Sequence, residues 1–130
     1  MKFQPDHLDG VNAISKLETG RVWVHATSFA SSVLVPWRGE VKAWPVASAS
    51  ALQADHFAAI VEFDPELVVF GSGATHRFVS PALYRSLIER RIGVETMDTA
   101  AACRTFNVLV HEGRRVLGAF VIEGAVAHGP

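Results

Sequence analysis

The hydrophobic pattern in the first third of the chain predicts β-strands. Val22, Val24 and Ala26 alternate with Trp23 and His25, which is typical of a strand with one buried face. Three strands are predicted in this part of the chain, at residues 21–27, 32–35 and 40–44. Short turns separate them, so they are expected to form an antiparallel β unit. Residues 1–19 show no sustained period and are expected to be a loose arm.

After residue 50 the pattern changes to helices alternating with strands. Leu67–Phe70 is apolar throughout, as in strands that are buried on both faces of a parallel sheet. Two more strands are predicted at 94–97 and 116–122, and three helices at 51–61, 81–92 and 99–112. We expect the three strands to share one sheet, since strand–helix–strand connections are right-handed crossovers between parallel neighbours.

The helix ends carry recognisable signals. Ser80 is a candidate N-cap with Pro81 at the first helical position, and Asp98 or Thr99 is the candidate cap of the last helix. The buried stripe expected for the middle helix is Leu83, Leu87 and Ile88. The fold predicted from these elements is α/β: a single domain over 1–130 with its core at about 20–122 and a loose tail at 123–130.

Composition and charge narrow the class of protein. The 130 residues are 49% hydrophobic and carry a net charge of −1, which argues against a nucleic-acid partner held by phosphate attraction. Cys103 is the only cysteine, so no internal disulfide is expected. The longest uncharged stretches, Ala26–Trp37 and Trp44–Ala54, are shorter than a membrane span. A cytoplasmic location without membrane insertion is the expectation.

The loop that follows Leu67–Phe70 is the main candidate site. Gly71-Ser72-Gly73 resembles the start of a dinucleotide fingerprint, but His76 stands at the third glycine position and the next helix begins only at Pro81. Two interpretations stay open: a flexible exit loop, or the wall of a crevice at the strand ends, where open α/β sheets bind ligands. The candidate binding residues are Gly71, Ser72, Gly73, Thr75, Arg77 and Thr99.

The remaining reactive side chains form no catalytic or metal-binding set. The histidines lack ligand spacing, so no metal and no other cofactor are predicted. Cys103 lies on the inward stripe of the last helix and is expected to be a buried, unreactive thiol. Asn107 lies on the same stripe, and a buried amide there is expected to fasten the glycine loop or a neighbouring segment by hydrogen bonds.

Four segments resemble a known family: Trp44-Pro45, 67–74, 92–99 and 101–107. They are similar, in the same order, to the Mth-nine-three-eight-like domain family of archaeal and bacterial proteins, to which the mitochondrial complex I assembly factor of the "assembly factor 3" type also belongs. The similarity covers about residues 20–122. The chain departs from the family at Ser72, where threonine is usual, and at His76, where a polar or acidic residue is common.

The resemblance implies a three-layer α/β fold with a mixed, mostly parallel central sheet, and neither an established enzymatic activity nor a known cofactor. The leading hypothesis is therefore a non-catalytic binding or complex-assembly module. The alternative is a small-molecule-binding protein or enzyme that uses the crevice around Gly71-Ser72-Gly73. The expected partner is another protein or a small molecule, and a homodimer is a further option.

Overall fold

The computed structural model describes residues 10–123 of the chain. Its eight strands are β1 (Ile14–Glu18), β2 (Arg21–Val24), β3 (Thr27–Phe29), β4 (Val33–Val35), β5 (Lys42–Ala43), β6 (Leu67–Gly71), β7 (Gly93–Met97) and β8 (Val116–Phe120). The first three form a small antiparallel sheet in the order β1-β2-β3. The other five form the central sheet in the order β5-β4-β8-β6-β7.

The central sheet is mixed, as predicted. β6 lies between β7 and β8 and is parallel to both, while β4 is antiparallel to β5 and β8. The strands predicted around residues 67–70, 94–97 and 116–122 therefore do share one sheet. This confirms the α/β reading of the second half of the chain.

Helices cover both faces of the central sheet. They are α1 (Ala54–Ala58), α2 (Arg85–Glu89) and α3 (Thr99–His111), with short 3₁₀ segments at Ala49–Ala51, Ala59–Phe63 and Pro81–Tyr84. On one face, α3 and the small sheet bury side chains such as Val69 and Phe120; on the other, the α1 and α2 layer buries Val68 and Phe70. Neighbouring residues of one strand thus enter opposite cores, which is why β6 is apolar throughout.

The predicted helix caps are present. The side chain of Ser80 accepts a hydrogen bond from Ala82 N at 3.3 Å, and Asp98 Oδ1 accepts one from Ala101 N at 2.8 Å. The stripe predicted for the middle helix is wrong at Ile88, which is 52% exposed. The α-helical part of this segment is only five residues long, so it presents a narrow buried stripe, with Leu87 fully buried.

The antiparallel β unit is divided differently from the prediction. The first predicted strand ends at Val24, because His25 adopts a left-handed backbone conformation (φ 54°) in the turn between β2 and β3. The next two predicted strands correspond to β4 and β5, and β4 pairs with β8, so both belong to the central sheet. Residues 21–44, predicted to form one antiparallel β unit, therefore contribute strands to both sheets.

The expected loose arm is wrong for its last part. Residues 14–18 form β1, and the side chains of Val11 and Ile14 are buried in the core beneath α3. The sequence of β1 does not show the alternation that predicts a strand, because only Ile14 and Leu17 are apolar in it. Residues 1–9 of the arm and 124–130 of the tail lie outside the described residues.

Asn107 fastens a neighbouring segment, as expected, but that segment is β1 and not the glycine loop. Its Oδ1 accepts a hydrogen bond from Ile14 N at 2.8 Å, and its Nδ2 donates one to Ile14 O at 2.8 Å. The register of β1 against β2 shifts just after Ile14. The amide thus satisfies both backbone groups of a residue at an irregular point of the ladder.

We predict that Asn107→Leu destabilises the protein by about 1–3 kcal/mol, although leucine is the better helix former. The substitution leaves the N–H and C=O of Ile14 without their partners. Urea unfolding of the two proteins measures the difference. Val108→Leu, which changes an exposed neighbour on α3, is the control and should leave the midpoint almost unchanged. Equal stability of Asn107→Leu and the parent chain would contradict the role of the amide.

Candidate functional site

The glycine loop, residues 71–79, leaves the central sheet where α3 begins. A Cβ atom on Gly71 would lie 2.7 Å from Thr99 Cα and 2.9 Å from Thr99 Oγ1. Only glycine allows the end of β6 to approach the first residue of α3 this closely. Gly73 has φ +119°, a conformation that other residues rarely adopt. Both glycines are therefore required by the path of the chain.

The hydroxyl group of Thr99 stabilises the contact between the end of β6 and the start of α3. Its Oγ1 accepts a hydrogen bond from Gly73 N at 2.9 Å and donates one to Val121 O at 2.8 Å. Its backbone N–H donates to Gly73 O at 2.9 Å. The side chain of Thr99 is 4% exposed, so these bonds form away from water, and losing one leaves a buried polar group unpaired.

Ser72 closes the loop on itself. Its hydroxyl accepts a hydrogen bond from Arg77 N at 2.9 Å and lies 3.0 Å from Thr75 O, an acceptor for its proton. Its backbone N–H donates to Met97 O at 2.9 Å, which extends the β6–β7 ladder by one step. Ser72 is completely buried, so it organises the loop from within.

The loop consists of a buried anchor, residues 71–73, and an exposed crest, residues 74–78. The crest carries Arg77 and Phe78, and Phe78 is 85% exposed, the most exposed large hydrophobic side chain of the described residues. Glu123 crosses the base of the crest, where its Oε1 accepts a hydrogen bond from Ala74 N at 3.0 Å. His76 Nε2 lies 3.3 Å from Thr96 Oγ1, which places the crest beside the end of β7.

The predicted site residues fall into these two parts. Gly71, Ser72, Gly73 and Thr99 come together in the anchor, whereas Thr75 and Arg77 belong to the crest. Sequence reasoning missed Phe78 and Glu123. A phenylalanine inside an otherwise polar loop is a signal for Phe78, but Glu123 follows the last strand and nothing local in the sequence connects it to the loop.

A cavity of about 280 Å³ opens elsewhere, between β1 and α3. Its lining includes Lys16, Arg104, Asn107 and Cys103, and none of the predicted binding residues.

Across residues 10–123, no three histidine, cysteine, aspartate or glutamate side chains are grouped to hold a metal ion. Within the same range, no helix is long and apolar enough to cross a bilayer.

Cys103 is buried, as predicted, with 5% of its surface exposed. Burial raises the pKa of the thiol to about 12, and the nearby Arg104 offsets this only in part. The thiol is therefore protonated at neutral pH, and the nucleophilic thiolate is scarce.

A family model described as "Protein of unknown function (DUF498/DUF598)" matches residues 14–121, which run from the first strand to just past the last. The chain belongs to this family. The matched range contains the anchor, the crest, α3 and each strand of the described residues, so Glu123 is the one residue of the site described above that lies outside the family domain.

Relatives of this DUF498/DUF598 chain agree with the resemblance noted in its sequence. A crystal structure of a Bordetella parapertussis protein superposes with a TM-score of 0.82 at 31% identity, covering 87% of this chain and 97% of that one. A Bordetella pertussis protein, solved by NMR and described as a Mth938-like domain, gives a TM-score of 0.82 at 26% identity, covering 95% of this chain and 94% of that one.

A vertebrate protein is also similar in sequence to this chain. The bovine (Bos taurus) protein named NADH dehydrogenase [ubiquinone] 1 alpha subcomplex assembly factor 3 is 40% identical over 81 residues. The alignment covers 61% of the DUF498/DUF598 chain and 44% of the bovine protein, so the chain spans less than half the length of that relative.

In this DUF498/DUF598 domain we predict that Thr99→Val lowers the free energy of unfolding by more than about 2 kcal/mol, because valine has nearly the same shape but leaves two buried groups, Gly73 N and Val121 O, unpaired. Thr99→Ser keeps the hydroxyl and should cost about 1 kcal/mol, the value of one buried methyl group. Urea unfolding of both variants measures the difference. Equal midpoints for the valine and serine variants would show that the hydroxyl bonds do not stabilise the anchor.

We predict that Cys103 in the native protein reacts slowly with a thiol reagent such as dithiobis(nitrobenzoic acid), and quickly once urea unfolds the chain. Burial thus raises the pKa of the folded-state thiol to about 12, above the ordinary value of 9.0 for an accessible thiol. The unpaired thiol should therefore favour folding below about pH 9, and this contribution is lost as the pH rises from there towards 12. Rapid labelling of the native protein at pH 8 would contradict the assignment.

Proposed function

We propose that this chain is a non-catalytic module that binds another protein during the assembly of a respiratory NADH dehydrogenase. The exposed crest is the observation that carries the proposal. Phe78 stands 85% exposed between Arg77 and the buried Val79, on a loop whose base is fixed by the anchor. An exposed aromatic beside an arginine is typical of the residues that dominate the binding energy of protein interfaces.

The anchor supports such a role energetically. The hydrogen bonds of Thr99 and Ser72 hold the base of the crest before any partner arrives. Less conformational entropy is then lost on binding, which strengthens the complex. Within this proposal Thr75 and Arg77 touch the partner directly, whereas the buried Gly71, Ser72, Gly73 and Thr99 act by shaping the loop.

The relatives supply the process. The bovine relative is named as an assembly factor of NADH dehydrogenase, and this chain matches less than half of it, so the role is carried over here as a proposal for the shared domain alone. A cytoplasmic location belongs to the same proposal. Cell fractionation followed by immunoblotting tests the location directly.

Deleting the gene from its source organism should lower the amount of assembled NADH dehydrogenase several-fold, seen by native electrophoresis with an in-gel activity stain. The parent chain should restore the complex, whereas the double variant Arg77→Ala with Phe78→Ser should not. Arg77 and Phe78 are both on the exposed crest, so the unfolding midpoint should stay almost unchanged. Val108→Ser, at a 58% exposed position on α3, is the matched control and should restore the complex.

The outcomes separate the proposal from its alternatives. An unchanged amount of NADH dehydrogenase after deletion would refute the assembly role. Restoration by the double variant would remove the crest from the interface. Normal assembly together with a changed pool of one metabolite would favour the small-molecule alternative. A molar mass of two chains by light scattering, lost in the double variant, would show that the crest binds a second copy.

A further inference from the structure

Within residues 10–123, no strand pairs with the outer edge of the central sheet at β7. Gly93 N donates to Glu66 O at 3.1 Å and Met97 O accepts from Ser72 N at 2.9 Å, so Gly93, Glu95 and Met97 direct their backbone groups towards β6. In a strand successive residues alternate in this direction, so Val94 and Thr96 direct their N–H and C=O groups away from the sheet. Among the described residues no strand lies on that side of β7.

The two edges of the sheet differ in how they are protected. At the opposite edge, β5 is only two residues long, carries Lys42 and is followed closely by Pro45, three features that discourage further pairing. β7 is five residues long, contains no proline and pairs with β6 without a register shift. Its one charged side chain is Glu95, so by length and regularity β7 is the edge better suited to pairing with another strand.

Cations lie at both ends of β7. Arg90 and Arg91 lie just before Ile92, which precedes the strand. Arg77 lies on the crest next to His76, whose ring contacts Thr96 near the end of the strand. Residues 77–91 contain four exposed arginines against one acidic residue, Glu89. The ion pairs found within residues 10–123 use other side chains. An extended segment that pairs with β7 therefore meets positive charge at each end.

A second copy of this chain fits the edge poorly. Two copies related by a twofold axis pair in antiparallel fashion, so Arg90 and Arg91 of one copy would face Arg77 of the other. In the register that pairs the outward groups of Val94 with those of Thr96, Glu95 would face its own counterpart. Like charges directly opposite each other destabilise a strand pair.

From these observations we infer that β7 binds an extended, acidic segment of a different protein as a sixth strand of the central sheet, with acidic residues near both of its ends. This inference rests on the proposed function, because it names the class of segment that a protein-binding module would capture. Backbone pairing with Val94 and Thr96 supplies affinity, and the arginines select the charge. Phe78 follows Arg77 on the same crest and is exposed, so it is available for an apolar contact with the same partner.

The test uses the full chain labelled with ¹⁵N and a synthetic peptide, Glu-Asp-Val-Thr-Val-Asp-Glu, titrated to millimolar concentration. A peptide with lysine in place of each acidic residue is the control. We expect the acidic peptide to shift the amide signals of Val94 and Thr96 and to slow their hydrogen exchange. The lysine peptide should bind about tenfold more weakly or not at all, given the excess of cations.

A matched pair of variants isolates the backbone bond. Thr96→Pro removes the outward N–H without touching the ladder to β6, and edge strands tolerate proline at such positions. It should weaken binding about tenfold, the effect of losing roughly 1.4 kcal/mol. Thr96→Val keeps the N–H and should bind within about twofold of the parent chain. Should the proline variant not fold, exchange protection of the Val94 and Thr96 amides in the parent chain decides the question.

Each other result overturns the inference. If the acidic peptide does not bind, or if the lysine peptide binds equally well, the inference that β7 binds an acidic segment is wrong. The assembly role is tested separately by the gene deletion and is not affected by this result. Unchanged binding by Thr96→Pro removes the edge pairing. A dimer by light scattering that Thr96→Pro abolishes assigns the edge to a second copy. Protection of Thr96 in the free monomer that is lost when the chain is ended after Glu123 assigns it to residues 124–130.

Discussion

The hydroxyl of Thr99 is the interaction on which the architecture of the site depends. It joins the end of β6, through Gly73, to the continuation of β8, through Val121, at the point where α3 begins. The close approach of Gly71 to Thr99 leaves no room for a side chain at residue 71, and Thr99 is buried, so these polar groups satisfy one another. The position of the crest is a consequence of that junction.

Other polar side chains also join distant segments of the chain by hydrogen bonds to backbone groups. Ser32 is buried, donates to Val46 O at 2.7 Å and accepts from Ile122 N at 2.9 Å, which ties β4 to the chain beyond β8. Asn12 donates to Pro36 O at 2.8 Å and Gly39 O at 3.0 Å. Asn107 holds β1 in the same way. Each of these side chains forms hydrogen bonds with backbone groups where regular strand pairing stops. Removing one of them would leave those backbone groups without a hydrogen-bond partner.

The extent to which the sequence predicts this fold follows from how local each signal is. The runs at 67–70 and 116–122 and the caps at Ser80 and Asp98 depend on neighbouring residues, and the structure confirms them. Strand β1 and the partner of Asn107 were not predicted. Asn107 lies 93 positions from Ile14, and only the assembled fold brings them together. That the amide would fasten a segment follows from its chemistry, whereas which segment it fastens is a tertiary property.

The candidate site shows the same division. Glycines at positions 71 and 73 indicate an unusual backbone conformation. The structure shows a close approach to Thr99 at Gly71 and a positive φ at Gly73. The exposure of Phe78 and the capping of Ala74 N by Glu123 depend on how β8 emerges beside β6, which no short window of sequence encodes. The family domain begins at residue 14 and ends at residue 121, so it includes Phe78 but not Glu123.

The anchor also couples the two surfaces that are proposed to bind proteins. Ser72 N bonds to Met97 O, so the last step of the β6–β7 ladder belongs to the same residue whose hydroxyl holds the crest at Arg77. The base of the crest and the end of β7 are therefore both held to the core through Ser72. Under the two proposals above, the end of β7 and the base of the crest are ordered before a partner binds, so less conformational entropy is lost in the complex.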